Sequence, residues 1–199
     1  MSKEEIKEQW KRSGEEAATE GTQLHAAIEA YYNGSQTEYD TKKQEWKHFL
    51  AFQAKCDLAA HRTEMVLWSE EHKLGGSIDL VVKNSDETYS IYDCKRSKDK
   101  IWKEERHFNK YGSGPLSRVK DNKYYRHSMQ LNIYRELLER YYGYNVRSMH
   151  IVRLHPSAKS FEINNVDRME GETRAVLDRR RDSIPAESDL DNQLGNLVI

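Results

Sequence analysis

LGGSIDLVVKNSDETYSIYDCKRS, residues 74–97, decides how this chain is read. Two apolar segments, 77–82 and 89–92, flank the turn formers Asn84-Ser85-Asp86. That pattern predicts a β-hairpin. Alternation along its second strand puts Asp93 and Lys95 on the same face. Asp79 stands 14 positions before Asp93, and the hairpin brings it alongside. A carboxylate inside an apolar run is costly when unpaired, so Asp79 after Ile78 calls for a chemical reason.

Working outward, a third strand is expected at 63–69, before the hairpin. Upstream lie a short charged helix over 2–12 and a second element opened by Gly21-Thr22. There Thr22 caps a helix with Leu24, Ala27, Ile28 and Tyr31 on its apolar face, and Asn33-Gly34 stops it. A further helix is expected over about 38–58, with Trp46, Phe49, Leu50 and Phe52 toward the core. Downstream, residues 96–116 are polar and Gly-rich and read as a loop or short helix. A strong helix follows over about 124–142, then strands at 146–154 and 161–166, then a charged helix over 167–182 and a polar tail. The order α-α-β-β-β-α-β-β-α predicts an α/β fold: an antiparallel meander, a helical crossover returning a further strand to a mixed sheet, and flanking helices.

The 199 residues suit one domain. Charged residues make up 33% and apolar ones 37%, and no run reaches the roughly 18 apolar residues of a membrane span. The charged start MSKEEIKEQWKR has no signal-peptide core, so an intracellular, non-secreted protein with no membrane partner is expected. Cys56 and Cys94 are too few for a disulfide scaffold or an iron–sulfur cluster. Net charge is −1, so any nucleic-acid role must rest on local clusters. There is no GxxxxGK[ST], hence no ATP-driven motor, and no GxSxG, HExxH or GxGxxG.

Two acids and an amine gathered at a strand end suit metal-dependent phosphodiester hydrolysis, the acids holding a hard cation and the lysine offsetting phosphate charge. Four motifs occur in order: Gly21-Thr22-x-x-His25, Gly76-x-x-Asp79, Asp93-x-Lys95 and Gln130-x-x-x-Tyr134. This combination resembles the RecB-like branch of the PD-(D/E)XK nuclease superfamily, and GSIDLV followed by IYDCKRSK is similar to small phage- and virus-type nucleases of that group. The resemblance covers about residues 21–154. It implies a restriction-endonuclease-like core and one or two Mg²⁺ or Mn²⁺ ions.

Residue by residue, the resemblance implies that Asp79 bridges metal, that Asp93 is a second ligand, and that the Cys94 backbone carbonyl supplies a further oxygen. His25 would add an imidazole, which suits Mn²⁺ better than Mg²⁺. Lys95 would stabilise the attacking hydroxide or the pentacovalent phosphate. Gln130 and Tyr134, one helical turn apart, would orient the motif or touch DNA; equally, they could simply pack an amphipathic face. Many relatives carry D…ExK where this chain has D…DxK. Glu64, in period-2 alternation with Val66 and Trp68, either completes the acidic cluster or is a solvated edge residue.

Residues 95–126 hold 11 Lys/Arg against 4 Asp/Glu, interleaved with Trp102, His107, Phe108, Tyr111, Tyr124 and Tyr125. Basic side chains bind phosphates and aromatics stack on bases. Arg96, Lys98, Lys100, Trp102, Lys103, Lys110 and Tyr124 are therefore the expected nucleic-acid contacts. Arg179-Arg180-Arg181 read better as part of a solvated helix. The expected organisation is one nuclease domain over 1–199: a helical extension 1–20, a core 21–166 with a basic loop 96–123, and a C-terminal helix and tail 167–199. The expected activity is a deoxyribonuclease, by preference an exonuclease on single strands or free ends. An RNA endonuclease of the same superfamily and a catalytically lapsed binding module are the rivals. The expected setting is the cytoplasm of a bacterial or virus-infected cell.

Overall fold

A computed structural model of the chain describes residues 1–104 and 110–185. Among these residues the elements are α1 (Lys3–Tyr32), α2 (Gln44–Cys56), β1 (Ala60–Ser69), β2 (Leu74–Lys83), β3 (Tyr89–Lys95), a 3-10 turn (Gly114–Leu116), α3 (Lys123–Tyr141), β4 (Val146–Arg153), β5 (Glu162–Asn165) and α4 (Glu170–Asp182). The strands form one sheet in the order β1-β2-β3-β4-β5. β1, β2 and β3 are an antiparallel meander. α3 carries the chain across so that β4 runs parallel to β3, and β5 then pairs antiparallel with β4. No helix is long and apolar enough to cross a membrane among the described residues.

The sheet separates two cores. On one face α3 packs Leu131, Leu137 and Leu138 against Leu67, Ile78, Ile91 and Ile151. On the other, α1 brings Leu24, Ala27 and Ile28, and α2 brings Trp46, Phe49 and Phe52, against Leu80, Val82, Tyr92, Cys94 and Val152. Each buried Leu, Ile, Val or Phe among them contributes about 1.5–3 kcal/mol of burial energy. The α3 register therefore fixes one wall of the sheet's end, and α1 fixes the other.

Several expectations about helix bounds and faces are corrected. α1 is one helix of 30 residues and runs unbroken through Gly21-Thr22. Thr22 is no cap: its hydroxyl donates to the Ala18 carbonyl at 3.1 Å, a bond available to a mid-helix threonine. The cap is Ser2, whose Oγ accepts from Glu5 N–H while Glu5 accepts from Ser2 N–H at 2.6 Å. α2 starts at Gln44 rather than near 38, because Thr37 and Asp40 use their side-chain oxygens to accept from Tyr39 and Lys42 N–H, a turn geometry that competes with helix. Tyr31 and Leu50 are exposed, at 41% and 40%, rather than core-facing. α4 begins three residues late, since Asn132 of α3 ties down the Asp167 carbonyl and the Met169 N–H.

The exit of β3 is held by a buried arginine. Arg153, 3% exposed, donates through Nε to the Ser97 carbonyl at 2.8 Å and through an Nη to the Lys98 carbonyl at 2.6 Å. Its other Nη pairs with Glu162 of β5 at 3.1 Å. Two carbonyls and a carboxylate satisfy the guanidinium fork, and the chain leaving Lys95 is pinned to the ends of β4 and β5.

Candidate active site

The side chains that converge come from α1, β1, β2 and β3. His25 projects from the buried face of α1 toward the sheet. Its Nε2 donates to the Cys94 carbonyl at 2.8 Å. Its Nδ1 then faces Glu64 Oε1 at 3.4 Å and Asp79 Oδ1 at 3.5 Å. A carbonyl only accepts, so Nε2 carries a proton, and two carboxylates before Nδ1 favour a second one. Burial opposes that charge, but Glu64 and Asp79 outweigh it and hold the His25 pKa above its usual value.

Asp79 is held by its other oxygen, which accepts from the Cys94 N–H at 2.6 Å. Burial first, and the neighbouring Asp93 second, push its pKa up to about 6. Glu64 accepts from Ser77 Oγ at 2.8 Å, and the His25 hydrogen bond holds its pKa below the ordinary value. Glu64 does so from a backbone φ of +42°, in the middle of β1. That left-handed conformation is strained for a side-chain-bearing residue. Flanked by the register pairs Thr63↔Leu80 and Met65↔Ile78, it aims the carboxylate at Asp79.

His25, Glu64 and Asp79 each offer a donor atom, all within 4.8 Å of one another. Asp93 stands beside this group rather than in it. Only 3% exposed, it binds Lys95 Nζ at 2.7 Å through Oδ1. Its Oδ2 is buried with no hydrogen-bond partner among the described residues, and a buried carboxylate oxygen left so is suited to a cation. Burial works against the Lys95 charge, but Asp93 and Asp79 outweigh it and raise the Lys95 pKa, so the group stays an ammonium. The Cys94 thiol turns into the α1/α2 core and burial raises its pKa; only the backbone of Cys94 meets the site. The Nδ1 of His25, once its proton is displaced, several carboxylate oxygens and a carbonyl form a donor set that fits Mg²⁺ or Mn²⁺.

The raised Asp79 pKa carries a pH signature. Below 3.8 the group is neutral folded and unfolded; above it, the unfolded chain ionises freely while the buried group resists. Stability is thus lost as pH rises through about 6, by an amount on the order of 3 kcal/mol for a shift of this size. Glu64 has the opposite sign but acts below its ordinary 4.5. In chelator, the Tm of wild type relative to Asp79→Asn is expected to fall between pH 4.5 and 6.5, a comparison in which the opposite trend of the histidines whose pKa burial lowers cancels. Equal slopes in both proteins would contradict the assignment.

Gln130 Nε2 donates to the Tyr134 hydroxyl at 3.0 Å on α3. The Tyr134 ring lies against Gly76: a Cβ there would sit 2.4–2.7 Å from its Oη, Cε1 and Cζ. The glycine before Asp79 and the tyrosine of the α3 motif are therefore one contact, which docks α3 on the strand carrying Asp79. Gly76→Ala is expected to cost about 1–3 kcal/mol by overpacking, with Gly76→Ala/Tyr134→Leu recovering most of it in urea unfolding. A double variant no more stable than the single one would disprove the clash. Sequence reading missed His127. It lies one turn before Gln130, and its pKa is lowered chiefly by burial, with Asp93 opposing. The 127/130/134 spacing, one face of a helix, was the available signal.

The expected nucleic-acid contacts divide. Lys98 is exposed. Trp102 is 50% exposed, with Lys100 Nζ 4.8 Å over its ring. These two residues and Lys103 line an open groove of about 510 Å³ beside Glu162 and Asn164. Lys103 also pairs with Asp167. Lys110 lies in the same loop, its carbonyl accepting from Asp121 N–H. Two residues are corrected. Arg96 is bound at 2.9 Å to the buried Glu45, which holds it to α2. Tyr124 is 3% exposed and donates to the Asn165 carbonyl at 3.0 Å, so its ring belongs to the core and is closed to bases. His107 and Phe108 lie outside the described residues. In α4, Arg180 donates to the His72 carbonyl and Arg181 pairs with Asp178.

A family model described as the PD-(D/E)XK nuclease superfamily matches residues 2–195. No curated protein matches the chain. Among solved structures, the crystal structure of SSO0001 is similar at a TM-score of 0.39 and 15% identity, covering 72% of this chain. The chain spans 58% of the length of that structure.

Proposed function

The chain belongs to the PD-(D/E)XK nuclease superfamily, and from that premise we propose that it is a divalent-metal-dependent deoxyribonuclease acting on single strands or free ends. The observation that carries the proposal is the meeting of His25, Glu64 and Asp79 within 4.8 Å, beside the Asp93–Lys95 pair. His25, Glu64, Asp79, the free oxygen of Asp93 and the Cys94 carbonyl would hold the cation. When bound, it supplies Lewis-acid polarisation of a phosphoryl oxygen and acidifies water. The imidazole in the set favours Mn²⁺ over Mg²⁺.

The chain's own groups divide the remaining tasks. Lys95 stays protonated between Asp93 and Asp79 and presents its ammonium where negative charge develops on phosphate. Gln130 and Tyr134 hold α3 to the Gly76 strand and so set the distance between the two walls. Lys98, Lys100 and Trp102 receive the nucleic-acid strand beyond Lys95, backbone to the ammoniums and base to the indole. Hydrolysis leaves a 5′-phosphate. The whole chain, 1–199, acts as one nuclease domain.

Linear and circular single-stranded DNA, duplex DNA and RNA, each incubated with Mn²⁺ or Mg²⁺, test this reading. Linear single strands are expected to be degraded and circles spared. Equal loss of circles would make the enzyme an endonuclease. Preferential loss of RNA would move the substrate, and no cleavage with either metal would leave only a binding module.

A further inference from the structure

β1 carries an exposed apolar strip that the roles assigned above do not use. Val66 is 74% exposed and Trp68 60%, although both lie in a strand paired along its length with β2. The register places Val66 opposite Ser77 and Trp68 opposite Gly75. Opposed residues of an antiparallel pair project from the same face. Ser77 reaches Glu64 with its hydroxyl at 2.8 Å, so this is the face on which the acid cluster opens. Val66 and Trp68 thus continue the site along the sheet, about 7 and 14 Å from Glu64 at the rise of a strand. Gly75 puts no side chain beside the indole.

Trp68 is also held in place. Its backbone N–H donates to the Tyr142 hydroxyl at 2.8 Å, and that hydroxyl donates to the Trp68 carbonyl at 3.2 Å. This closes the outer edge of β1 at that point. At Trp68 the strand therefore offers its side chain rather than free backbone groups. Beyond Trp68 the strip ends at Glu70, whose 74% exposed side chain pairs with Lys73 at 3.6 Å.

We infer that Trp68, with Val66 on the way to it, is a stacking platform for an unpaired nucleobase further along the strand whose phosphate is held at the acid cluster. Val66 and Trp68 are exposed and uncharged, so the strip suits a base rather than the backbone; phosphate contacts belong to Lys98 and Lys100. Base stacking on an aromatic ring tolerates any sequence. The inference rests on the nuclease reading above and adds to it the subsite that prefers single strands.

The test uses the full chain with Ca²⁺ in place of Mn²⁺, and labelled single-stranded oligonucleotides carrying one abasic nucleotide stepped along the strand. Wild type is expected to lose affinity when the missing base falls at one fixed position. Trp68→Ala is expected to bind intact strands about 5- to 150-fold more weakly, the range of one base stack, and to lose that position dependence. Trp68→Phe should keep most of both, and Mn²⁺ affinity should be the same in all three. If wild type binds and cuts DNA while Trp68→Ala shows the same affinity and abasic profile, the platform is disproved and the strip is left as a protein-contact surface. If wild type neither binds nor cuts any nucleic acid, the nuclease reading falls and takes the platform with it.

Discussion

Asp79→Asn is expected to abolish divalent-cation binding and, in the same protein, to raise the stability of the cation-free fold. Both effects come from one carboxylate. Asp79 is the least exposed member of the cluster, 3.5 Å from His25 and bonded to the Cys94 N–H. It is costly to ionise because burial and Asp93 oppose its charge. An amide keeps the bond to Cys94 and removes that penalty, which is expected to add about 1–2 kcal/mol in chelator, the usual gain from relieving an active-site conflict. It also removes the central anionic donor. Loss of metal affinity should exceed the 10–100-fold typical of an outer partner, and cleavage should vanish with it. Mn²⁺ titration calorimetry and urea unfolding read the two effects separately. Unchanged Mn²⁺ affinity in Asp79→Asn would remove the centre of the proposed site.

The second large effect is on Lys95. Lys95→Gln is expected to lower turnover about 10²–10³-fold, the scale of losing one charge-stabilising donor, while Mn²⁺ affinity stays within a few-fold. The glutamine amide can still donate to Asp93, so the fold is kept. Lys95→Ala should show the same kinetic loss together with a stability loss of about 3–5 kcal/mol, because the buried Asp93 then has no counter-charge. Comparing kcat for the two variants under saturating Mn²⁺ separates chemistry from folding. A Lys95→Gln enzyme with wild-type kcat would show that the ammonium acts only as the structural partner of Asp93.

The sheet was legible because its signals are local. Period-2 alternation, the Asn84-Ser85-Asp86 turn and the helical pattern of α3 each state their element within a few residues. Asp79, Asp93 and Lys95 were legible for the same reason, since hairpin geometry forces them together. Other features depend on partners distant in sequence. Nothing in the residue types around Gly21 shows that the helix continues; that follows from the open space around Gly21 and from the Ser2 cap. Glu64 could be named from alternation, but its φ of +42° has no signature in the sequence. Arg96 and Tyr124 look like nucleic-acid contacts by type. Glu45 and the Asn165 carbonyl, both far along the chain, claim them instead.

The unbroken course of α1 has a mechanical consequence. Residues 2–19 of the chain are exposed apart from a half-buried Ile6, yet they belong to the same rod as His25. From Lys3 to His25 that rod measures about 33 Å at the rise of an α-helix. Among the described residues the rest of the protein holds it from Glu20 onward, where Glu20 pairs with Lys43 and Leu24, Ala27 and Ile28 are clamped. A force applied to the free end acts through a long arm on a short pivot, and the imidazole sits at the pivot. A swing of the tip would reach His25 scaled down, so a contact made with those first turns would be felt at the acid cluster.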